Sequence, residues 1–359
     1  MNLGGAPVQV AVTGGGGFLG EAIVRRLKAD GHRVRSFSRR RHRALSDLGV
    51  RQILGDISDA DAVFGALAGA AVVFHTAAKA GVWGDAAEYE TTNVTGTANV
   101  IDACRHHGIR TLVYTSSPSV VFDGSDMAGV DETVPYPAAF HAPYPKSKAA
   151  AERMVREAAG DHLKTVSLRP HLIWGPGDNH LIPRILARAA RLRRVGKGTN
   201  RVDTIYIDNA AEAHILAAEA LMTRPEISGN VYFISQDEPI PLWDMVDAIL
   251  AAGGLPPVTG TVSAVAAQCI GAVLETVYRL LRLPGEPRMT RFVASELATS
   301  HWFDISAAKR DLGYVPKVST AEGLERLAHW LKDDPYGLRA ESKGSGGKGS
   351  TGPRGQGAK

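Results

Sequence analysis

Cysteine is almost absent from this chain. Its two thiols, Cys104 and Cys269, stand far apart in 359 residues, which excludes a disulfide framework, and neither has the neighbouring His or Cys spacing of a metal site. Long uncharged apolar runs are missing as well. Val262 to Leu283 comes nearest, but Gln268, Glu275, Arg279 and Arg282 interrupt it, and a spanning helix needs about 20 mostly apolar residues. That segment is expected to cover a substrate site, or to lie against a membrane surface or a partner enzyme. An excess of one charge is lacking too: the net formal charge is only +4, too small and scattered for a nucleic-acid partner. Few residues precede the first apolar run, which leaves no room for a signal peptide and points to the cytoplasm. The remaining composition, 44% hydrophobic and 22% charged, is that of a soluble globular protein. The length suits one large α/β domain with an added lobe.

The stretch from Val10 to Leu27 organises the rest. Val8, Val10 and Val12 alternate like a strand that ends at Thr13. Four glycines follow, then an amphipathic helix with Leu19, Ile23, Val24 and Leu27 on one face. Strand, glycine turn and helix together cradle a dinucleotide pyrophosphate. Gly14 permits the turn, Gly17 lets phosphate approach the backbone, and Gly20 lets helix and strand pack closely, with the helix N-terminus facing the negative charge. A glycine triplet alone is weak, but its spacing between a strand and a helix makes it specific.

Further strands read at His32–Ser38, Arg51–Leu54, Val72–His75, Leu112–Thr115 and Thr165–Leu168, separated by helical patterns such as Ala86 to Cys104. This alternation predicts an α/β, doubly wound parallel sheet of Rossmann type. Past Pro176 the rhythm changes. Helices are expected at Leu181–Leu192, Ala210–Leu221 and Leu242–Ala252, with strands at Thr204–Ile207 and Val231–Ile234. We divide the chain into a cofactor-binding part over 1–176, a smaller substrate lobe interleaved with the sheet over 177–336, and a tail over 337–359. From Glu341 onward the tail has no side chain able to build a core and is expected to be disordered.

Tyr144 and Lys148 stand four apart, one turn along a helix face. An ammonium beside a phenol favours the phenolate and makes the hydroxyl a usable acid or base. The spacing is common by chance, but here it follows the fifth strand of a dinucleotide fold. At that strand's C-terminal end lie Tyr114-Thr115-Ser116-Ser117, where open α/β sheets bind ligands. Ser117, with Ser116 as the fallback, is the hydroxyl expected to hold a carbonyl oxygen. The second strand ends in Ser36-Phe37-Ser38-Arg39-Arg40 and lacks the acid that NAD enzymes offer to the ribose 2′-hydroxyl. Arg39 can instead bind a 2′-phosphate, so NADP(H) is expected over NAD(H).

These motifs, with Asp56 and Leu168-Arg169-Pro170, resemble the extended short-chain dehydrogenases/reductases. Tyr114 to Ser117 and Arg169-Pro170-His171 resemble their 3β-hydroxysteroid dehydrogenase branch. Within it the chain is similar to the bacterial 2-alkyl-3-oxoalkanoate reductases of olefin biosynthesis. The matching stretches are Ala77 to Gly84, Leu172 to His180, Leu283 to Glu286, His301-Trp302 and Gly313 to Pro316. The resemblance implies an oxidoreductase that needs no metal and transfers hydride between a nicotinamide and a carbonyl or secondary alcohol. Ser117, Tyr144 and Lys148 would be catalytic, with Lys148 lowering the tyrosine pKa and holding the nicotinamide ribose.

The resemblance also implies cofactor contacts from Phe18, Leu19 and Thr115, with Asp56 and Ile57 flanking the adenine. Ala77 and Ala78 would line the nicotinamide-side loop, Asn93 would steady the adjoining helix, and Pro170, Leu172 and Ile173 would close over the nicotinamide. Lys79, Trp83, Asn179, His180 and Arg184 are expected near a small lipid-like substrate, Lys79 or Arg184 meeting its carboxylate. The substrate expected is a long-chain 2-alkyl-3-oxoalkanoate, reduced at its 3-keto group. A sterol-4-carboxylate 3-dehydrogenase is the alternative. A nucleotide-sugar epimerase or dehydratase, or a non-catalytic NADP-binding regulator, comes further behind. A homodimer is expected by analogy with the superfamily.

Overall fold

The computed structural model describes residues 7–333 and 336; the tail expectation lies outside them. Seven strands form the main sheet: β1 (Gln9–Thr13), β2 (Arg33–Ser38), β3 (Arg51–Leu54), β4 (Val72–His75), β5 (Thr111–Thr115), β6 (Lys164–Pro170) and β7 (Val231–Ile234). Their order is β7-β6-β5-β4-β1-β2-β3, and every pairing is parallel. A parallel sheet is covered on both faces, which is why its inner strands, such as β4 and β5, read as nearly continuous apolar runs. Val10 and Val12 face one core with α1 (Phe18–Ala29), while Ala11 faces a second core with α2 (Ala60–Leu67) and α3 (Gly96–His106).

The strand order reverses between β1 and β4, and the crevice at such a switch point is where this architecture binds ligands. Gly14 closes β1 there with φ +72°; a Cβ on it would lie 2.8 Å from the Ala77 backbone beyond β4. Only glycine relieves both constraints.

α4 (Pro143–Glu157) packs beside α3, and α6 (Ile207–Thr223) packs against α1. Between them in sequence, α5 (Leu181–Arg188) is followed by a 3₁₀ turn over Ala189–Arg191, so the helix expected to reach Leu192 tightens and stops early. The lobe adds α7 (Leu242–Ala252), α8 (Ala264–Leu280) and α9 (Arg291–Ala298). A small four-stranded sheet ties the lobe to the body by pairing His301–Phe303 with Met127–Val130 from the segment before α4. Among the described residues no helix is long and apolar enough to cross a membrane.

One helix departs from the sequence expectation in a useful way. The pattern from Ala86 to Cys104 is not continuous α-helix. A turn of α-helix at Ala86–Tyr89 passes into π-helix over Glu90–Thr95 before α3 begins. Such wide turns are rare and cluster at functional sites. Here the turn carries the buried Asn93, whose amide accepts from Lys79 N at 2.7 Å and donates to Lys79 O at 3.1 Å.

Candidate active site

The glycine turn comes first. Gly17 caps α1 without a side-chain hydrogen bond, and the helix begins at Phe18. The first-turn amides of Phe18, Leu19 and Gly20 have no intrahelical acceptor and carry the positive end of the helix dipole. A Cβ on Gly20 would collide with the Gly14 carbonyl, whereas one on Gly17 would meet only that carbonyl, at 3.3 Å. The turn therefore leaves a groove of about 240 Å³ lined by Gly14, Gly17, Arg39, Asp56, Ile57, Ala77 and Ala78. These residues fit a dinucleotide: a backbone nest for phosphate, and a guanidinium at the end of β2.

Some expected contacts take other positions. The Phe18 ring lies in a separate depression between α1 and α6, and Leu19 packs into the core, so neither side chain lines the groove. Asn179, expected beside the substrate, lines the dinucleotide groove instead. Ile173 pairs with Ile205 in a short two-stranded ladder. Arg40 and His42, close neighbours of Arg39 in the basic stretch Arg39-Arg40-Arg41-His42-Arg43 after β2, also line the groove. Asp56 accepts from Ser58 N at 2.9 Å and Ser58 Oγ at 2.7 Å, and these bonds hold its carboxyl below the usual range.

A second cavity, of about 340 Å³, opens at the C-terminal ends of β5 and β6. Ser117 and Tyr144 line it together with Lys79, Trp83, Pro170, Leu172, His180 and Arg184. Of the serine pair, Ser117 faces this cavity, whereas Ser116 is buried and continues the β5–β6 pairing through its amide, 2.6 Å from Leu168 O. Ser117 Oγ accepts from Ser119 N at 3.2 Å and shares a hydrogen bond with Ser119 Oγ at 2.9 Å. Pro143 opens α4, where its missing N–H costs nothing, and Tyr144 stands in the first turn.

Lys148, one turn on, is buried and donates from Nζ to the Thr115 carbonyl at 2.6 Å. Thr115 is held in turn by His214, its Oγ1 lying 2.9 Å from Nε2. The other ring nitrogen, Nδ1, lies 2.7 Å from Ala210 O. Burial pulls the His214 pKa down to about 4, so the ring is neutral and Nε2 accepts. Asn93 donates to Ser147 Oγ at 2.9 Å, coupling the π-helical turn to α4.

Burial comes first in setting the acidity of both Tyr144 and Lys148. It raises the tyrosine pKa above its ordinary value, and the nearby Ser117 hydroxyl offsets part of the rise. Burial also lowers Lys148 itself, to about 7, because an ammonium loses hydration in a low-dielectric interior.

The two cations expected to meet a carboxylate both have partners already. Lys79 pairs with Glu88 at 2.5 Å and Arg184 with Glu286 at 3.0 Å. The sequence reading missed Tyr89 and Glu296, which also line this cavity. Glu296 left a signal: it shares a helix face with Phe292 and Val293 in α9, an acid among apolar neighbours.

Comparison with known proteins agrees with this architecture. Residues 11–262 match the model of the 3-beta hydroxysteroid dehydrogenase/isomerase family. A 2-alkyl-3-oxoalkanoate reductase of Shewanella oneidensis is 53% identical over 88% of this chain and 84% of its own length. One from Stenotrophomonas maltophilia is 52% identical over 89% of this chain and 98% of its own. Among solved structures, MoeE5 in complex with UDP-glucuronic acid and NAD is 25% identical with a TM-score of 0.70, covering 91% of this chain and 99% of that one. The chain is an NAD(P)-dependent oxidoreductase and belongs to the 3-beta hydroxysteroid dehydrogenase/isomerase family, within the extended short-chain dehydrogenases/reductases.

Proposed function

We propose that the enzyme uses NADPH to reduce the 3-keto group of a long-chain 2-alkyl-3-oxoalkanoate to the 3-hydroxy acid, a step of olefin biosynthesis. The observation that carries this reading is the convergence of Ser117 and Tyr144 on one cavity at the sheet's C-terminal edge. The names of the two bacterial relatives support the substrate class.

A bound nicotinamide supplies the hydride. Ser117 holds the carbonyl oxygen and Tyr144 delivers the proton to it. A tyrosine kept protonated by burial suits the acid of a reduction. Lys148, held by the Thr115 carbonyl, would offer its amine to the ribose as a hydrogen-bond donor and steadies α4. Arg184 is the better partner for the substrate carboxylate: its guanidinium is half exposed, and its five fixed donors can serve Glu286 and a second carboxylate together. Lys79 is the lesser candidate. Arg39, with Arg40 and His42 beside it and no acid closing β2, supports preference for the 2′-phosphorylated cofactor. The exposed apolar positions Val265, Val273 and Leu280 on α8 support contact of that helix with a partner enzyme or a membrane surface.

The test is direct. The enzyme is incubated with NADPH and a 2-alkyl-3-oxo acid, and separately with NADP⁺ and a 3β-hydroxy-4α-carboxysterol. Cofactor consumption with the oxo acid is expected. Turnover of the sterol alone would overturn the reading in favour of a sterol-4-carboxylate 3-dehydrogenase.

A further inference from the structure

Carbonyl chemistry at Ser117 and Tyr144 needs only the smaller cavity, yet a larger one adjoins it. A chamber of about 560 Å³ lies between α5, α7, α8 and α9. Its walls are apolar side chains, among them Leu181, Ile185, Val246, Ile249 and Leu274, with Trp243 beside them. Its interior is unfilled in a fold otherwise packed to near-crystalline density, and an apolar space of this size open on one side is suited to a ligand.

Two relationships orient the chamber. Three residues, His171, Leu172 and Glu296, line both it and the Tyr144 cavity, so the two spaces meet at the reacting centre. Leu172 holds its place there with φ 44°, a left-handed backbone that leucine rarely adopts. Four exposed arginines, Arg188, Arg191, Arg193 and Arg288, also line the chamber and mark its solvent side. Away from the arginine rim, Glu296 and the unpartnered Trp243 Nε1, its walls offer little hydrogen bonding. His171 Nδ1 is engaged with Asp203 O at 2.7 Å, and His301 Nε2 with Thr299 Oγ1 at 2.7 Å. Between the arginine rim and Glu296 a nucleotide or sugar would find few partners, whereas a hydrocarbon needs none.

We infer that this chamber binds an unbranched alkyl chain of the substrate, which runs from the carbonyl at Tyr144 past His171, Leu172 and Glu296 toward the arginine rim. The inference rests on the reading of the enzyme as a reductase of long-chain 3-oxo acids. Within that reading it places the chain-length specificity in α7, α8 and α9 rather than in the catalytic cavity.

Two measurements test it. In the first, a dodecanoate brominated on its terminal carbon is titrated into the full-length enzyme while tryptophan fluorescence is followed. Saturable quenching is expected, and Trp243→Phe should abolish most of it. In the second, Val293→Phe and Ile270→Phe narrow the chamber from partly exposed wall positions, with unchanged Tm and cofactor binding as folding controls. Each should lower kcat/KM for a long-chain 2-alkyl-3-oxo acid by about tenfold or more, and leave that for 2-methyl-3-oxobutanoate within about twofold. Equal losses on both substrates, or quenching that survives intact in Trp243→Phe, would overturn the chamber as the chain site. Quenching needs no turnover, so a bound chain without reduction of any 3-oxo acid would defeat the functional reading and leave the chamber standing. Reduction of oxo acids regardless of chain length, without quenching, would do the reverse.

Discussion

Lys148 and Thr115 are joined by a 2.6 Å hydrogen bond from ammonium to main-chain carbonyl, with the Tyr114 ring 4.2 Å from the same nitrogen. The lysine is thus anchored to the end of β5, and burial brings its pKa to about 7 from 10.5. The folded chain gives up this proton near 7 and the unfolded chain only near 10.5. Between those values the unfolded state binds more protons, and stability rises with pH.

Lys148→Met has no such proton to lose. Its Tm relative to the parent should be most favourable near about pH 6 and should deteriorate steadily toward about pH 10. Thermal melts of both proteins across that range check this, and a flat difference contradicts it. The variant should also lose turnover and cofactor affinity together.

Tyr144→Phe removes one hydroxyl from a half-buried ring. Turnover should fall by about 10²–10⁴-fold, the usual weight of general acid catalysis, while the Kd for cofactor measured by fluorescence stays close to that of the parent. Near-normal turnover in this variant would mean that another group delivers the proton.

Arg39→Ala should erode selectivity for NADPH over NADH, because no acid at the end of β2 favours the unphosphorylated ribose. The readout is the ratio of kcat/KM values for the two cofactors. A ratio already near one in the unmodified enzyme would defeat this expectation.

Much of this architecture was legible in the residues. The runs Arg51–Leu54, Val72–His75 and Val231–Ile234 are strands with the expected bounds, and Leu242–Ala252 is a helix with the expected bounds; for Val72–His75 and Val231–Ile234 the reason is that short apolar runs flanked by turns suit strands buried on both faces. Long-range relationships were not legible. Nothing local announces that Met127–Val130 will pair with His301–Phe303, or that Lys79 and Arg184 will each find an acid. The upward shift of Tyr144 depends on what surrounds the ring, whereas the spacing to Lys148 speaks only of charge. The Glu152–Arg169 pair was invisible for the same reason.

That pair supplies a stability prediction. Arg169 grips Glu152 with bonds of 2.9 and 2.6 Å, and Tyr136 donates to the same carboxylate at 2.6 Å. Both charged side chains are almost wholly buried. Arg169→Met strands the carboxylate and should cost about 3–5 kcal/mol, measured by urea denaturation. Its deficit should shrink as the pH falls, because a buried carboxyl without its partner has a raised pKa and takes up a proton above the ordinary carboxylate range. The double variant Arg169→Met/Glu152→Leu should recover most of the loss. A single variant as stable as the parent would show that the pair contributes nothing.

The π-helical turn at Glu90–Thr95 bears on how the chain tolerates length changes. A regular α-helix advances about 100° per residue, so deleting one residue here would restore ordinary pitch and rotate one side of the helix against the other by that amount. Asn93 would then lose its hold on Lys79 or on Ser147. A related chain one residue shorter at this point would align with a trivial gap, yet its helix would present a different face to the reacting centre. In this segment the count of residues matters more than their identity.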